Sequence, residues 1–343
     1  MTSRSSRPTR GRRLIALATA ACALLLSACS RQELPQDALD PQGPIARKLD
    51  NLINPVFVIA GVIFVLVEAL VVIFAIRYRR RSDDDSPVQV HGNARLELAW
   101  TIIPAAILFV VAIGTLTTIA EINREPTGPG VVRVDVIGHQ WWWEYKYEAE
   151  GITTANELHI PVDRPVAINL TSKDVMHNFW PPKLAGKIYA IPGRINHMTV
   201  QADKPGTYFG QCAEFCGLSH ANMRLRVIAH SAADYDKWVA ANRTTPKLPE
   251  GAGNAVAGAS LFRQKGCASC HAVTGYAKGE VGPDLSHLHQ RQVFAGALFE
   301  LNDENLRKWL RDPPGEKPGS IMPNLNLNED EITKLIAYLD TLK

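Results

Sequence analysis

The stretch Cys212-Ala213-Glu214-Phe215-Cys216-Gly217-Leu218-Ser219-His220-Ala221-Asn222-Met223 brings two thiols, an imidazole and a thioether into one short loop, and His177 lies 35 residues before its first cysteine. Soft sulfur donors with imidazoles, and a single carboxylate nearby, suit copper better than calcium, magnesium or manganese. Two cysteines four apart can place both sulfurs between two metal ions. One histidine is then left for each ion, with Met223 as a weak ligand and a backbone carbonyl to complete the set. The competing readings of a bare Cys-x3-Cys are a disulfide or half of a zinc site. Zinc takes four tetrahedral ligands drawn from Cys, His and carboxylates, and a thioether fits that set poorly.

Outward from the loop, residues 131–230 read as short strands broken by Pro and Gly. The segments 131–138, 165–171 and 194–200 alternate apolar and polar residues, and many such strands make a sandwich or a barrel. His139-Gln140-Trp141-Trp142-Trp143-Glu144-Tyr145, with Tyr147 beyond, carries five aromatics. Part of that set belongs in a core, but alternation requires some of the rings to face outward. Ser231 to Asn242 has a serine start with Asp234 three residues on, the pattern of a capped helix. Residues 243–253, rich in Thr, Pro and Gly, read as a linker.

Beyond the linker stands Cys267-Ala268-Ser269-Cys270-His271, the Cys-x-x-Cys-His motif of covalent c-type haem attachment. Both thiols add to the porphyrin and His271 becomes an axial ligand. A thioredoxin-like pair would not require the histidine and would sit near a βαβ pattern that is absent here. Met322, in Gly319-Ser320-Ile321-Met322-Pro323, is the candidate for the other axial position, and a methionine there raises the reduction potential. His287 and His289 follow the Gly282-Pro283-Asp284-Leu285 turn too closely to serve and read as surface residues. Residues 254–265, 304–311 and 329–342 have helical periodicity, with Trp309 and Tyr338 on apolar faces.

At the other end, residues 1–28 have a basic start and an apolar run from Leu14 to Leu26, the form of a secretory signal. Leu26-Ser27-Ala28-Cys29 resembles a bacterial lipoprotein cleavage box, which would make Cys29 the lipidated first residue; an ordinary signal peptide is the alternative. Residues 55–76 are an apolar run with one charge, Glu68, long enough to cross a bilayer. Arg77, Arg79, Arg80 and Arg81 follow and hold that end on the cytoplasmic side. A second run, 98–119, returns the chain, so everything after about residue 120 lies outside the cytoplasm.

The formal charge of +3 comes from the leader: taking its five arginines from 37 basic residues leaves 32 against 34 acidic ones. No basic stripe remains for nucleic acid. The six cysteines fall at 22, 29, 212, 216, 267 and 270, so none is spare for a structural disulfide.

The Cys-x-Glu-x-Cys-x3-His-x2-Met pattern with its upstream histidine resembles subunit II of cytochrome c oxidase, with its dinuclear CuA centre, over about residues 45–242. Residues 252–343 resemble a class I cytochrome c. The resemblance implies a multi-domain membrane protein: a two-helix hairpin over 45–120, an all-β cupredoxin-like Greek-key barrel over 130–242, and an all-α haem domain over 254–343. It implies that Cys212 and Cys216 bridge two coppers completed by His177, His220, Met223 and the Glu214 carbonyl. The Glu214 carboxylate would turn towards a magnesium or manganese ion shared with subunit I. Trp141, the first tryptophan of the matching Gln-Trp-x-Trp stretch, would be an exposed point where electrons come in. Glu97 matches a glutamate at the mouth of the proton path named K, and reads equally as an interfacial carboxylate meeting water.

The implied partners are subunits I and III and a cytochrome c donor, in a bacterial cytoplasmic membrane, with oxygen reduction and proton translocation performed in subunit I. A quinol oxidase subunit II shares hairpin and barrel but its family lacks the copper ligands. A tethered copper chaperone would need neither Met223 nor a haem, and nitrous oxide reductase shares the dicopper motif without the hairpin.

Overall fold

The computed structural model describes residue 19, residues 34–82, residue 89 and residues 91–343. Apart from residue 19, the leader, and with it Cys29, lies outside the described residues. Two long helices come first, α1 (Pro44–Arg77) and α2 (Ala94–Ile122). At about 1.5 Å per residue each exceeds the roughly 30 Å hydrocarbon core of a bilayer. Helix α1 begins well before the apolar run that predicts it. Its first turns dock on the β-domain: Ala46 is buried with its N–H on the Leu184 carbonyl (3.2 Å), and Arg47 pairs with Asp203 (2.7 Å). Pro55 stays inside the helix, as membrane helices tolerate. Asn93 caps α2, accepting from the N–H groups of Arg95 and Leu96, and Glu97 stands in the first turn. Thr101 and Thr115 donate to the carbonyls one turn back (both 2.8 Å), which satisfies hydroxyls in an apolar segment. Glu68 has no hydrogen-bond or ion-pair partner among the described residues.

The next ten strands are β1 (Val132–His139), β2 (Trp142–Tyr147), β3 (Ile152–Ala155), β4 (Glu157–Pro161), β5 (Val166–Ser172), β6 (His177–Trp180), β7 (Ile188–Ala190), β8 (Asn196–Val200), β9 (Gly206–Cys212) and β10 (Arg224–His230). They form two five-stranded sheets, β3-β2-β1-β5-β8 and β4-β10-β9-β6-β7. Pairs β1/β5 and β4/β10 are parallel, the others antiparallel. The three segments read as strands from their alternation are β1, β5 and β8, neighbours in one sheet. Trp143, Tyr145 and Tyr147 point inward from β2 and are fully buried with Val134, Val136, Leu158 and Ile168. The Tyr147 hydroxyl, buried among them, bonds the backbone of His159 in both directions (2.8 Å each).

Helix α3 (Ala232–Asn242) closes one edge, its Ser231 cap accepting from the Asp234 N–H (3.2 Å). From α3, Trp238 stacks on His159 (4.4 Å between centroids), and the His159 and His230 rings share a 2.8 Å hydrogen bond. Burial first, then the neighbouring His159, pushes the His230 pKa down to about 4. The unfolded chain binds that proton at about 6.5, so the folded state holds fewer protons between the two values and stability rises with pH there. We expect stability to be full above about pH 6.5 and to fall towards pH 4 by roughly 2 kcal/mol after solvent screening. Thermal unfolding across that range checks this: a His230→Phe chain should lose the slope, and an unchanged slope contradicts it.

The C-terminal unit holds α4 (Asn254–Gln264), α5 (Cys267–Cys270), α6 (Asp303–Arg311), α7 (Pro313–Glu316) and α8 (Glu329–Leu339). Two short hairpins, β11 (Ala272–Val273) with β12 (Ala277–Lys278) and β13 (Val293–Phe294) with β14 (Phe299–Glu300), lie among them; their two-residue strands are too short to leave a sequence pattern. Asn328 and Glu331 make a reciprocal cap at the start of α8. Helix α4 crosses α8 at Gly258, where an added Cβ would land on the Lys334 carbonyl. Phe262, Leu306, Ile332, Leu335 and Tyr338 fill the core.

His287 is not the surface residue expected: it is buried and its Nδ1 meets the Lys343 carbonyl (3.0 Å), while His289 stays partly exposed and pairs with Asp340 (2.8 Å). They anchor the chain end, and neither lines the haem-sized cavity described below.

Candidate metal centre and haem cradle

His177 opens β6, Cys212 ends β9, and the loop from 213 to 223 folds back so that its two sulfur residues lie beside both. Cys212 Sγ is 3.9 Å from His177 Nδ1 and 3.3 Å from the Glu214 carbonyl oxygen. Cys216 Sγ is 3.6 Å from His220 Nδ1 and 3.9 Å from Met223 Sδ. The two sulfurs are 3.8 Å apart, far beyond the roughly 2.05 Å of a disulfide. The six residues singled out around this loop are therefore brought together, in two matched halves that meet at the cysteine pair.

That spacing fits metal. With bonds of about 2.0–2.3 Å and tetrahedral angles, adjacent donors on one ion sit roughly 3.3–3.8 Å apart. The donor chemistry, two sulfurs and two imidazoles with a thioether, is soft and suits copper. Both thiols, Met223 and His177 are buried, which excludes water from the donor set. Within the thiol pair, a hydrogen bond from Cys216, ahead of one from His177, holds Cys212 below the usual thiol range, and Cys216 as the donor is pushed up.

Asp174 completes this side, and no motif had pointed to it. Its Oδ1 is 2.8 Å from His177 Nε2 and its Oδ2 accepts the Gln140 N–H (2.7 Å). Burial opposes the charge on the His177 ring, but Asp174 and Cys212 outweigh it and raise the pKa. A carboxylate on the far nitrogen fixes which nitrogen faces the sulfurs, and losing such a partner costs about 10–100-fold in metal affinity. We expect that loss in Asp174→Asn, read by competition with a copper chelator; an unchanged affinity contradicts it. The signal available in the sequence was the i, i+3 spacing of Asp174 and His177.

The second site is a cavity of about 390 Å³ whose wall includes Cys267, Cys270, His271, Met322, Trp309 and Leu310. Its lining and the two attachment thiols suit a haem. His271 Nδ1 lies 2.8 Å from the Pro283 carbonyl, and donation there leaves Nε2 for an iron. The ring passes so close to Gly282 that a Cβ there would strike it. Met322 Sδ accepts from Trp309 Nε1 (3.2 Å), both residues lining the same cavity.

The two sites share a wall. Gln140, Trp141 and Trp142 of the β-sandwich line the cavity beside the haem-binding residues. Trp141 Nε1 and Gln140 Nε2 both donate to the Cys216 carbonyl (3.0 and 2.7 Å). Trp141 was expected to be exposed; it is only 7 % exposed, because the haem-bearing unit covers it. Alternation along a strand counts the faces of its own sheet and cannot register a second domain.

Other contacts fasten the same interface. The buried Glu157 carboxylate accepts the N–H groups of Gln292 and Val293 (2.7 and 2.8 Å), Arg291 Nε donates to Thr154 (3.0 Å), and Arg226 pairs with Glu300 (2.5 Å). Glu214 is the one acidic residue in the loop, and no second carboxylate joins it in a metal-holding group among the described residues. Phe215 and Leu218, on the loop's outer side, are 78 % and 81 % exposed.

Comparison with known proteins places both domains in known families. A family model described as the cytochrome c oxidase subunit II periplasmic domain matches residues 148–230, that family's transmembrane domain matches 33–118, and a cytochrome c model matches 255–343. The chain is 41 % identical over 328 residues to a cytochrome c oxidase subunit 2 of Alkalihalophilus pseudofirmus, covering 93 % of this chain and 94 % of that one. It is 33 % identical over 341 residues to the cytochrome c oxidase subunit 2 of Bacillus subtilis, with 93 % and 95 % covered. A quinol oxidase subunit 2 of Bacillus cereus is 36 % identical over 233 residues, covering 66 % of this chain and 79 % of that one. The chain is a membrane protein with an extracytoplasmic domain, and it belongs to the cytochrome c oxidase subunit II family, with a cytochrome c domain at its C-terminal end.

Proposed function

We propose that this chain takes electrons from a cytochrome c at its own haem domain and passes them by way of the Cys212–Met223 loop to subunit I, where oxygen is reduced and protons are translocated. When bound, the haem and the dicopper centre each supply one-electron redox chemistry, and no group transfer falls to this chain. The observation that carries the reading is Trp141, which lines the haem cavity and donates to the carbonyl of Cys216.

In this reading Cys267 and Cys270 would attach the haem, and His271 and Met322 would ligate its iron. Cys212, Cys216, His177 and His220 would hold the coppers, with Met223 and the Glu214 carbonyl as weaker ligands. Buried donors keep water away and hold the ligand geometry nearly constant, which lowers the cost of changing charge at the site. Exposed Phe215 and Leu218 supply apolar contact for subunit I, beside which the Glu214 carboxylate is free to share a magnesium or manganese ion with that subunit.

Glu97, in the first turn of α2, would stand in this reading at the cytoplasmic mouth of a proton path. Subunit III completes the assembly in a bacterial cytoplasmic membrane, with Cys29 lipidated. The cytochrome c match beyond residue 254 and the complete donor set favour cytochrome c over quinol as the source of electrons. Anaerobic mixing of the purified complex with reduced cytochrome c tests this. The haem band should reduce first and the dicopper band should bleach afterwards; reduction by quinol alone, with cytochrome c inert, contradicts it.

A further inference from the structure

Lys317 is an unusual residue to bury. It is 4 % exposed, and its ammonium donates to two backbone carbonyls, that of Trp141 (2.6 Å) and that of Ala295 (2.7 Å). One carbonyl belongs to the β-sandwich and the other to the haem-bearing unit. Neither carries a charge; burial lowers the pKa of the amine to about 7, opposed by the nearby Cys216 sulfur. Burying an ammonium against neutral carbonyls is costly, and an interface that only had to adhere would be served better by an apolar side chain.

Its place in the chain explains the expense. Lys317 lies five residues before Met322, on the segment that lines the cavity, and the Trp141 that it holds donates to Cys216. Gly296 and Gly319 leave room for the contact: a Cβ at Gly296 would crowd the Trp141 carbonyl and one at Gly319 would strike the Trp141 ring. Around it, Ser219 donates to the Pro318 carbonyl (2.5 Å) and the Arg224 N–H to the Gly296 carbonyl (2.9 Å). The segment carrying the haem ligand is thus registered against the loop carrying the copper ligands by Lys317, acting through Trp141, and by Ser219.

We propose that Lys317 is a positioning residue that clamps the haem domain onto Trp141, fixing the approach of the two redox sites and holding a positive charge beside the haem cavity. The proposal rests on the electron route given above. A buried cation near the haem opposes the extra positive charge of the ferric state, so its removal lowers the reduction potential. Loss of the clamp also frees the Trp141 backbone.

The test uses the full-length oxidase with Lys317→Met and, as a rim control on the same interface, Glu300→Gln. Three readouts are taken: the haem midpoint potential, hydrogen–deuterium exchange of the segments 139–143 and 293–300, and the rate of electron movement from haem to copper. Expected for Lys317→Met are a lower potential, faster exchange in both segments, and a rate at least tenfold slower, with KM for external cytochrome c unchanged. The rim control should keep its potential and its rate within twofold. An unmoved potential with unchanged exchange overturns the proposal, as does a rim control that slows equally. Should Lys317→Met fail to retain haem, Lys317→Gln is read by the same criteria. A parent protein whose haem never passes electrons to copper overturns the underlying route instead, and the exchange data then still decide whether Lys317 is a clamp.

Discussion

Cys216→Ser is expected to lower bound copper from two ions per chain to one or none and to abolish electron movement out of the haem domain, while the fold survives. Cys216 Sγ lies within 3.9 Å of three other candidate donors, those of Cys212, His220 and Met223, so it is the atom both halves of the site have in common. A serine hydroxyl has nearly the same shape but is a hard donor that stays protonated, and soft sulfur selects copper. Because the exchange is close to isosteric, the metal-free fold should lose no more than about 1.5 kcal/mol. Metal analysis beside thermal unfolding separates the two effects. Two coppers retained in the variant would show that the cysteine is a structural thiol.

Gly258→Ala should have the largest effect on the haem domain. Helices α4 and α8 touch there backbone to backbone, and the new methyl would overlap the Lys334 carbonyl and press on Tyr338 Cβ. No rotamer relieves an overlap with backbone, so the helices must separate and open the core around Phe262 and Tyr338, whose rings pack 5.4 Å apart. Overpacking costs about 1–3 kcal/mol where side chains can yield, and this site offers no such relief, so the expectation is at the top of that range or beyond. Haem content per chain and the unfolding midpoint of the haem domain are the measurements; full haem content with an unmoved midpoint would refute the close crossing.

What the sequence made legible follows from how local each signal is. The Cys212–Met223 loop and Cys267–His271 were readable because their donors are fixed by spacing within a dozen residues, and spacing survives folding. The sandwich was readable from β1, β5 and β8, whose alternation reflects one wet and one dry face. Helix α1 was readable only over its apolar part. Its first turns are amphipathic and are ordered by Asp203 and the Leu184 carbonyl, which lie far along the chain.

The interface left almost no trace. Glu157, Arg291 and Lys317 are single polar residues without periodicity, and their meaning comes from partners 135, 137 and 176 residues away. Trp141 shows the same limit in reverse, since its ring was assigned to the surface by a rule that sees one sheet at a time. His287 was displaced from the surface by the chain terminus, which folds back to meet it.

On the proposed route one loop holds a pair of coppers wired through Trp141 to a haem on the same chain. Copper and haem content of the purified oxidase, measured together with electron paramagnetic resonance of the oxidised protein, addresses it most directly. Two coppers for each c-type haem of this chain, with one unpaired electron shared equally between two copper nuclei, is the predicted result. A single copper, or zinc in its place, would contradict it.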